Sequence, residues 1–236
     1  MADGFDCAQL LQQARSLSTA EVSDALDAFN LPGSVLGIKP IAGPARLFGL
    51  AFTVRFAPID RLQPGTVGDF IDTLSAGTVV VLDNGGRLDC TVWGGILSRL
   101  ASHKGIAGTV IHGVCRDTED ANEVGYPLYA NGKFMRTGKD RVQVEGYEQP
   151  VMLGDVRVAP GDLIIGDADG VVVIPGLRMQ EVLTKALKTR EIEQQILAAA
   201  ISGMPLNEAR KIFNYHTLQR APDLTASVPK NQETTS

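Results

Sequence analysis

The stretch from Thr78 to Asp117 constrains the fold of this chain more than any other part of the sequence. It contains, in order, the segments TVVVLDNGG, WGGILSRLASHKGIAG and TVIHGVCRD. The pattern is that of an apolar strand ending in an acid and two glycines, a Gly-Gly turn that opens a helix, and a second apolar strand followed directly by Arg116. Strand, helix and strand in this order predict a layered α/β domain.

The polar groups of this stretch are expected to meet in one crevice. In a layered α/β domain, strand ends and helix N-termini converge at one edge of the sheet. The crevice would then hold free backbone N–H groups, the fixed cation of Arg116 and the carboxylate of Asp117. Such a set suits a small anionic, oxygen-rich substrate and a hard divalent metal ion.

Composition and charge exclude several classes of protein. The formal net charge of −5 and the isoelectric point near 5.2 disfavour a nucleic acid as partner. The N-terminal segment MADGFDCAQLLQQA does not resemble a signal peptide, and no run approaches the roughly 20 apolar residues of a membrane span. The three cysteines lack CxxC spacing, so neither a disulfide framework nor a zinc site is indicated. A cytoplasmic protein is predicted.

The distribution of turn-forming residues along the chain predicts one domain over residues 1–216, including a C-terminal helical arm. A helix begins at Ser18 with cap chemistry, and Gly-rich spacing over 126–175 predicts short strands. A long helix is predicted from Gln180 to Ser202, with apolar positions on more than one side, so burial against another subunit is expected. Residues 217–236 are polar and predicted to be a flexible tail.

These residues also carry a family resemblance. The segments are LSTAEVSDALD, LAFTVR, WGGILSRLA, GIAGTVIHGVCRD, YPLYANG and PGDLIIGDADGVVVIP, which cover roughly residues 15–205. In their order and spacing they resemble the RraA-like superfamily, whose enzyme branch includes the 4-hydroxy-4-methyl-2-oxoglutarate (HMG) and 4-carboxy-4-hydroxy-2-oxoadipate (CHA) aldolases. The resemblance implies a layered α/β/β/α sandwich that forms a trimer or a hexamer of two trimers, with active sites at the subunit interfaces.

Arg116 and Asp117 have two interpretations. Taken alone, an Arg-Asp pair after a strand is most often a solvated ion pair or a helix cap. The resemblance implies instead that Asp117 is the direct ligand of Mg²⁺ or Mn²⁺, with waters in the remaining positions, and that Arg116 binds the substrate's oxygens with its planar fork. Relatives that act as ribonuclease E regulators tend to lose the acid that this chain keeps as Asp117.

The segment Gly94, Gly95, Ile96 and Leu97 is the second candidate element. In one interpretation, the two glycines only permit the backbone geometry of a tight turn. In the other, the unpaired amides of the helix's first turn also bind a carboxylate. In the resembling aldolases these amides hold the pyruvate carboxylate. Several of those aldolases carry an acid where this chain has Gly95, and that acid organises metal-bound waters.

Glu193 is the third candidate. Glu191, Ile192 and Glu193 form a charged cluster on the predicted C-terminal helix, and such a cluster is most often a solvated helix face. The resemblance implies that a glutamate of this arm reaches a neighbouring subunit's metal through water. Its distance from Ser202 favours Glu193 over Glu191 for that role.

The sequence therefore predicts a metal-dependent aldolase of the pyruvate type. It would cleave a 4-hydroxy-2-oxo acid to pyruvate and a carbonyl compound, and it would decarboxylate oxaloacetate as a side activity, because both reactions pass through the pyruvate enolate. Two alternatives stay open: a non-catalytic regulator that binds a protein partner, and a lyase acting on a different 2-oxo acid or a sugar acid. Gly95 and the cationic segment Phe134–Lys139 leave the latter open. The cations of that segment could meet a distal carboxylate or phosphate, although such a segment is more often a solvated loop.

Overall fold

A computed structural model of the protein describes residues 7–215, and it has the predicted α/β architecture with a long C-terminal helix. The helices of this part of the chain are Cys7–Ala14 (α1), Thr19–Ala28 (α2), Gly95–His103 (α3), Thr118–Glu123 (α4), Met179–Ile201 (α5) and Leu206–Ile212 (α6). Its strands are Ser34–Val35 (β1), Lys39–Ala42 (β2), Leu47–Pro58 (β3), Val79–Thr91 (β4), Gly108–Cys115 (β5), Leu128–Lys133 (β6), Val142–Tyr147 (β7), Val151–Leu153 (β8), Val156–Val158 (β9), Leu163–Gly166 (β10) and Val171–Ile174 (β11). Short 3₁₀ helices span Phe70–Thr73 and Gly176–Arg178. The predicted flexible tail at 217–236 lies outside the described residues.

The strands form one large curved sheet in the order β1-β11-β10-β3-β4-β5-β6-β2, with β7 paired to β3 and β8-β9 as a separate hairpin. The centre of the sheet, from β3 through β4 and β5 to β6, is parallel, and the flanking pairs are antiparallel. Because β4 and β5 are adjacent and parallel, the turns that follow them lie at the same edge of the sheet. That edge is where the sequence predicts a crevice.

Alternate residues of the strands face different cores, which produces the layers. On β4, Val80 and Leu82 pack beneath α3 and α4, whereas Val79 and Val81 face a second core that they share with Ile164 of β10. The opposite faces of β10 and β11 pack under α1, α2 and α5. Two helical layers therefore enclose two layers of strand, which is the predicted α/β/β/α order.

The long helix α5 buries more of its surface within the protomer than its sequence suggests. Val182, Leu183 and Ala186 are all buried against the core shared with α1 and α2. Its exposed apolar side chains lie near its end, at Leu197 and Ile201. The exposed apolar surface that α5 offers to another subunit therefore lies on its last two turns. No helix within residues 7–215 is long and apolar enough to cross a membrane.

The start of α2 confirms the predicted cap and ties this helix to α5. The Ser18 side chain accepts a hydrogen bond from the Glu21 N–H at 3.2 Å, and the Glu21 carboxylate accepts one from the Ser18 N–H at 2.7 Å. Arg190 of α5 also donates to Glu21 through Nε at 2.6 Å. Burial acts to raise the pKa of Glu21, but the hydrogen bonds from Arg190 and Ser18 outweigh it and lower that pKa.

Two parts of the fold differ from the sequence-based expectation. The strand after Thr78 does not end at the acid and glycines of 83–86 but continues to Thr91, because Gly85 and Gly86 adopt positive φ and shift the register against β5 without ending the pairing. Helices α1 and α6 were not predicted, since both are short and their apolar residues are few.

Replacing Glu21 with Gln should weaken the α2–α5 contact in a pH-dependent way. Near neutral pH we expect a loss of about 1.5–3 kcal/mol in unfolding free energy, the range for hydrogen bonds to charged groups. The folded pKa of Glu21 is lowered from 4.5, so this stability is present above that value and is lost as pH falls through the folded pKa. Urea unfolding at neutral pH and near pH 3 would measure the difference, and equal losses at the two pH values would contradict the account.

Candidate active site

The turns after β4 and β5 meet, as the sequence predicts. The chain leaves β4 through Trp93 and Gly94 into α3, and it leaves β5 through Arg116 and Asp117 into α4. The Arg116 N–H donates to the Trp93 carbonyl at 3.1 Å, which joins the two turns. The candidate residues of both turns are therefore held side by side at the carboxyl ends of parallel strands.

Trp93 supports the first turn from inside the protein. Its side chain is buried, stacks on Tyr126 with the ring centroids 5.9 Å apart, and donates from Nε1 to the Ser98 hydroxyl at 3.0 Å. Ser98 in turn donates to the carbonyl of Gly94 at 3.2 Å. The start of α3 is thus fixed by buried polar contacts, a role that the sequence pattern did not reveal.

Asp117 caps α3 from across the site. Gly94 occupies the N-cap position of α3 and has no side chain to accept a hydrogen bond, and the Asp117 Oδ2 accepts the N–H of Gly95 at 3.0 Å instead. Asp117 itself adopts the left-handed conformation, with φ 53° and ψ 43°, which Asp tolerates better than most residues. The Arg116 Nε lies 3.5 Å from the same Oδ2, and both side chains stay partly exposed. Asp117 therefore caps α3, whereas it makes no side-chain cap bond to α4, whose N-cap position it occupies.

At both glycines of the turn, a Cβ would come into close contact with the side-chain ends of charged residues. A Cβ on Gly94 would lie 2.8 Å from Asp117 Oδ2 and 3.2 Å from Arg116 Nε. A Cβ on Gly95 would lie 1.8 Å from the Oδ2 of Asp120, on helix α4. Glycine at 94 thus lets the main chain at the start of α3 lie against the Arg116 guanidinium and the Asp117 carboxylate, which a side chain here would displace.

A cleft of about 310 Å³ brings together the predicted residues Gly94, Gly95, Ile96, Leu97, Arg116 and Asp117. Ile96 is 85% exposed at its mouth. Two further groups of residues line the cleft. Thr137, Gly138 and Lys139 belong to the cationic segment that could meet a distal anionic group. The sequence did not indicate the others, which are Val67, Gly68, Asp69, Thr91, Val92 and Trp93.

The cationic segment after β6 forms one of those walls. The Thr91 N–H donates to the Arg136 carbonyl at 3.0 Å, and Thr91 pairs with Thr137 as an isolated β-bridge. A Cβ on Gly138 would lie 2.4 Å from the Thr91 carbonyl oxygen, so glycine permits this close approach. The contact places Lys139 in the cleft wall, and the cluster of Arg and Lys around a glycine was the signal in the sequence.

Glu193 does not line this cleft within the protomer. It lies on α5, which packs on α2. Burial raises the pKa of Glu193, and the nearby carboxylates of Asp24 and Glu21 raise it further.

Asp83 is also not part of the cleft. Its carboxylate accepts a hydrogen bond from the Met152 N–H at 3.0 Å and pairs with His112 at 3.1 Å. These contacts lie on the face of the sheet opposite to α3.

The donor set at Asp117 fits a hydrated divalent ion. Within residues 7–215, no three His, Cys, Asp or Glu side chains are grouped as a set of metal ligands. Mg²⁺ commonly binds through one or two carboxylates and keeps several waters. One partly exposed carboxylate that lines the cleft is consistent with such an ion.

The comparison with known protein families decides the family of this chain. The family model "RraA-like: Aldolase/RraA" matches residues 19–173. The chain belongs to the RraA-like family. The matched region contains α2, both βα turns of the cleft and the strands up to β11.

Individual relatives agree with this assignment. The chain is 40% identical over 210 residues to Protein DlpA of Legionella pneumophila, covering 87% of this chain but only about a third (34%) of that protein. It is 36% identical over 141 residues to the 4-hydroxy-4-methyl-2-oxoglutarate aldolase of Thermus thermophilus, covering 58% of this chain and 80% of the relative. The crystal structure of an uncharacterized protein from Pseudomonas syringae pv. tomato superimposes with a TM-score of 0.78 at 37% identity, covering 86% of this chain and 97% of that one.

Replacing Ser98 with Ala should destabilise the protein, because the buried indole N–H of Trp93 would lose its acceptor. We expect a loss of about 1–3 kcal/mol in unfolding free energy. Trp93 is the single tryptophan of the chain, so its fluorescence follows the unfolding directly. Ser102→Ala is the matched control: that hydroxyl donates to the Val124 carbonyl at 3.1 Å, and its removal leaves no buried donor. Equal losses in the two variants would contradict the assigned role of Ser98.

Proposed function

We propose that this protein is a divalent-metal-dependent carbon–carbon lyase of the pyruvate-aldolase type. Its substrate is a 4-hydroxy-2-oxo acid, which it cleaves to pyruvate and a carbonyl compound, and it decarboxylates oxaloacetate as a side activity. The observation that carries the proposal is the placement of Arg116 and Asp117 at the N-terminus of α3 in one cleft. The aldolase name of the Thermus thermophilus relative supports it.

The substrate's C1 carboxylate binds at the start of α3. Within residues 7–215 the N–H groups of Ile96 and Leu97 have no hydrogen-bond acceptor, whereas that of Gly95 is taken by Asp117. Free N–H groups at the positive end of a helix dipole favour a carboxylate. Ile96 and Leu97 therefore supply the donors.

A divalent ion, Mg²⁺ or Mn²⁺, would be held by Asp117 and would polarise the C2 keto oxygen as a Lewis acid. The carboxylate has one oxygen engaged by Gly95 and the other available. The Asp117 side chain lines the cleft and is 45% exposed.

Arg116 stabilises the charge that develops during cleavage. When the C4 hydroxyl loses its proton to water, the C3–C4 bond breaks and its electron pair collects on the C2 oxygen. A guanidinium fixed beside that oxygen stabilises the developing enolate more than the neutral keto group. Loss of CO₂ from oxaloacetate leaves the same enolate, so Arg116 serves both reactions.

Lys139 favours a substrate with a second anionic group. It lines the same cleft as Arg116, and within residues 7–215 no carboxylate forms an ion pair with it. A distal carboxylate or phosphate of the substrate would complement its charge. This feature also keeps a related lyase, acting on a different 2-oxo acid or a sugar acid, as the second candidate.

A regulator that acts only by binding a protein is the less favoured alternative. Such a role requires neither an acid at 117 nor unpaired amides beside it. This chain has both, together with a cleft that is large enough for a small dicarboxylate.

Replacing Asp117 with Asn tests the metal assignment. Asn keeps a side-chain oxygen for the Gly95 N–H and tolerates the left-handed backbone, so the fold should persist, but the negative charge is lost. We expect metal-dependent pyruvate release to fall at least about a hundredfold, with the melting temperature within a few degrees of wild type. Near wild-type turnover at saturating metal would refute the role of Asp117.

We further propose that the protein acts as a homo-oligomer, a trimer or a hexamer, in which Glu193 approaches a neighbour's metal through water. The nearby carboxylates of Asp24 and Glu21 raise the pKa of Glu193, and a cation close to Glu193 would offset their repulsion. Mixing inactive Asp117→Asn and Glu193→Gln subunits under exchange conditions should restore part of the activity, because some mixed sites regain both groups. Mixtures as inactive as their parents, with exchange confirmed by mass spectrometry, would exclude a shared site.

A further inference from the structure

The carboxylate of Asp120 occupies the side-chain position of residue 95. An ideal Cβ on Gly95 would lie 1.8 Å from Asp120 Oδ2 and 2.8 Å from its Cγ. The same point is 3.3 Å from the Cβ of Asp117. The acid from α4 therefore lies directly over the first residue of α3, next to the candidate metal ligand.

Arg99 holds the Asp120 carboxylate in this position. Its Nη2 donates to Asp120 Oδ1 at 2.7 Å and to Glu123 Oε2 at 2.5 Å. The Asp120 N–H donates to the Asp117 carbonyl at 3.1 Å. Because Arg99 binds Oδ1, the other oxygen, Oδ2, is directed at Gly95 and has no donor within residues 7–215.

Two carboxylates thus flank the N-terminus of α3, one from the N-cap residue of α4 and one from the first turn of that helix. Asp117 Oδ2 accepts the Gly95 N–H, and Asp120 Oδ2 lies over the same residue. Two acids bind a hydrated divalent cation more tightly than one, since the number of charged oxygen ligands sets the affinity of such sites. Groups that bind the waters of a cation, rather than the cation itself, contribute about 10- to 100-fold in affinity.

We propose that Asp120 is a positioning residue of this centre, which holds through a water molecule the cation whose direct ligand is Asp117. Glycine at 95 leaves its side-chain position to the Asp120 carboxylate. Several of the resembling aldolases carry an acid at position 95 itself, and this chain presents a carboxylate at the same place from a different helix. The inference rests on the proposed function only in taking Asp117 as the cation ligand.

The Mn²⁺ dissociation constant, measured by electron paramagnetic resonance of the free ion, tests the role of Asp120. Asp120→Asn keeps an acceptor for Arg99 and should weaken Mn²⁺ binding about tenfold. Glu123→Gln is the matched control, because it changes the other partner of Arg99 and does not contact Gly95; it should change binding less than twofold. A metal dissociation constant does not depend on whether the substrate is the right one.

Substitutions at Gly95 and Asp120 test whether the Asp120 carboxylate occupies the side-chain position of residue 95. Gly95→Asp alone should lower the melting temperature, because its Cβ requires the Asp120 carboxylate to move away from its hydrogen bond with Arg99. Gly95→Asp combined with Asp120→Ala removes that conflict and puts the acid back at 95. The double variant should therefore melt at a higher temperature than Gly95→Asp and bind Mn²⁺ more tightly than Asp120→Asn, which a merely structural role of Asp120 would not produce.

The outcomes separate this inference from the proposed function. Wild-type protein that binds Mn²⁺ with the expected dependence on Asp120 but releases no pyruvate from any 4-hydroxy-2-oxo acid would overturn the proposed reaction and support the role of Asp120. Equal Mn²⁺ affinities in Asp120→Asn and wild type, or equal losses in Asp120→Asn and Glu123→Gln, would overturn the role of Asp120 whatever the reaction.

Discussion

The hydrogen bond from the Gly95 N–H to Asp117 Oδ2 is the contact on which the cleft depends. At 3.0 Å it joins the turn after β4 to the turn after β5, two segments that share no sequence neighbourhood. It supplies the cap that Gly94 cannot give to α3, and it fixes the orientation of the Asp117 carboxylate. Without it, neither the free amides at the helix start nor the remaining carboxylate oxygen would have a defined place in the cleft.

This contact gives one side chain both a structural and a chemical role. The left-handed backbone of Asp117 is costly for most residues, and the bonds to Gly95 and from Asp120 hold it in place. Strain of this kind is often found where a site must be preorganised. The hydrogen bonds from Trp93 to Ser98 and from Ser98 to the Gly94 carbonyl support the start of α3, on the other side of this contact. A cation at Asp117 would therefore meet a carboxylate that is already oriented.

Local patterns predicted much of the fold and the convergence of two turns at one cleft. The cap at Ser18, the long helix α5, the convergence of Arg116 and Asp117 with the Gly-Gly turn, and the family are confirmed by the structure and the comparisons. The sequence pattern did not predict the features that depend on contacts between residues distant in the sequence. The continuation of β4 beyond its glycines depends on pairing with β5, and the overlap of Asp120 with Gly95 joins two helices through space. Periodicity and spacing report the neighbours of a residue along its own element, and they carry no information on such contacts.

The most direct test of the proposed lyase activity is pyruvate release by the wild-type protein from 4-hydroxy-4-methyl-2-oxoglutarate and from oxaloacetate. Each substrate is assayed with Mg²⁺, with Mn²⁺ and with EDTA, beside 2-oxoglutarate, which has neither a 4-hydroxyl group nor a carboxylate on C3. The account predicts metal-dependent pyruvate from the first two, none from the third, and loss of activity in EDTA. Absence of pyruvate from both substrates at saturating metal, or release that is unaffected by EDTA, would contradict it.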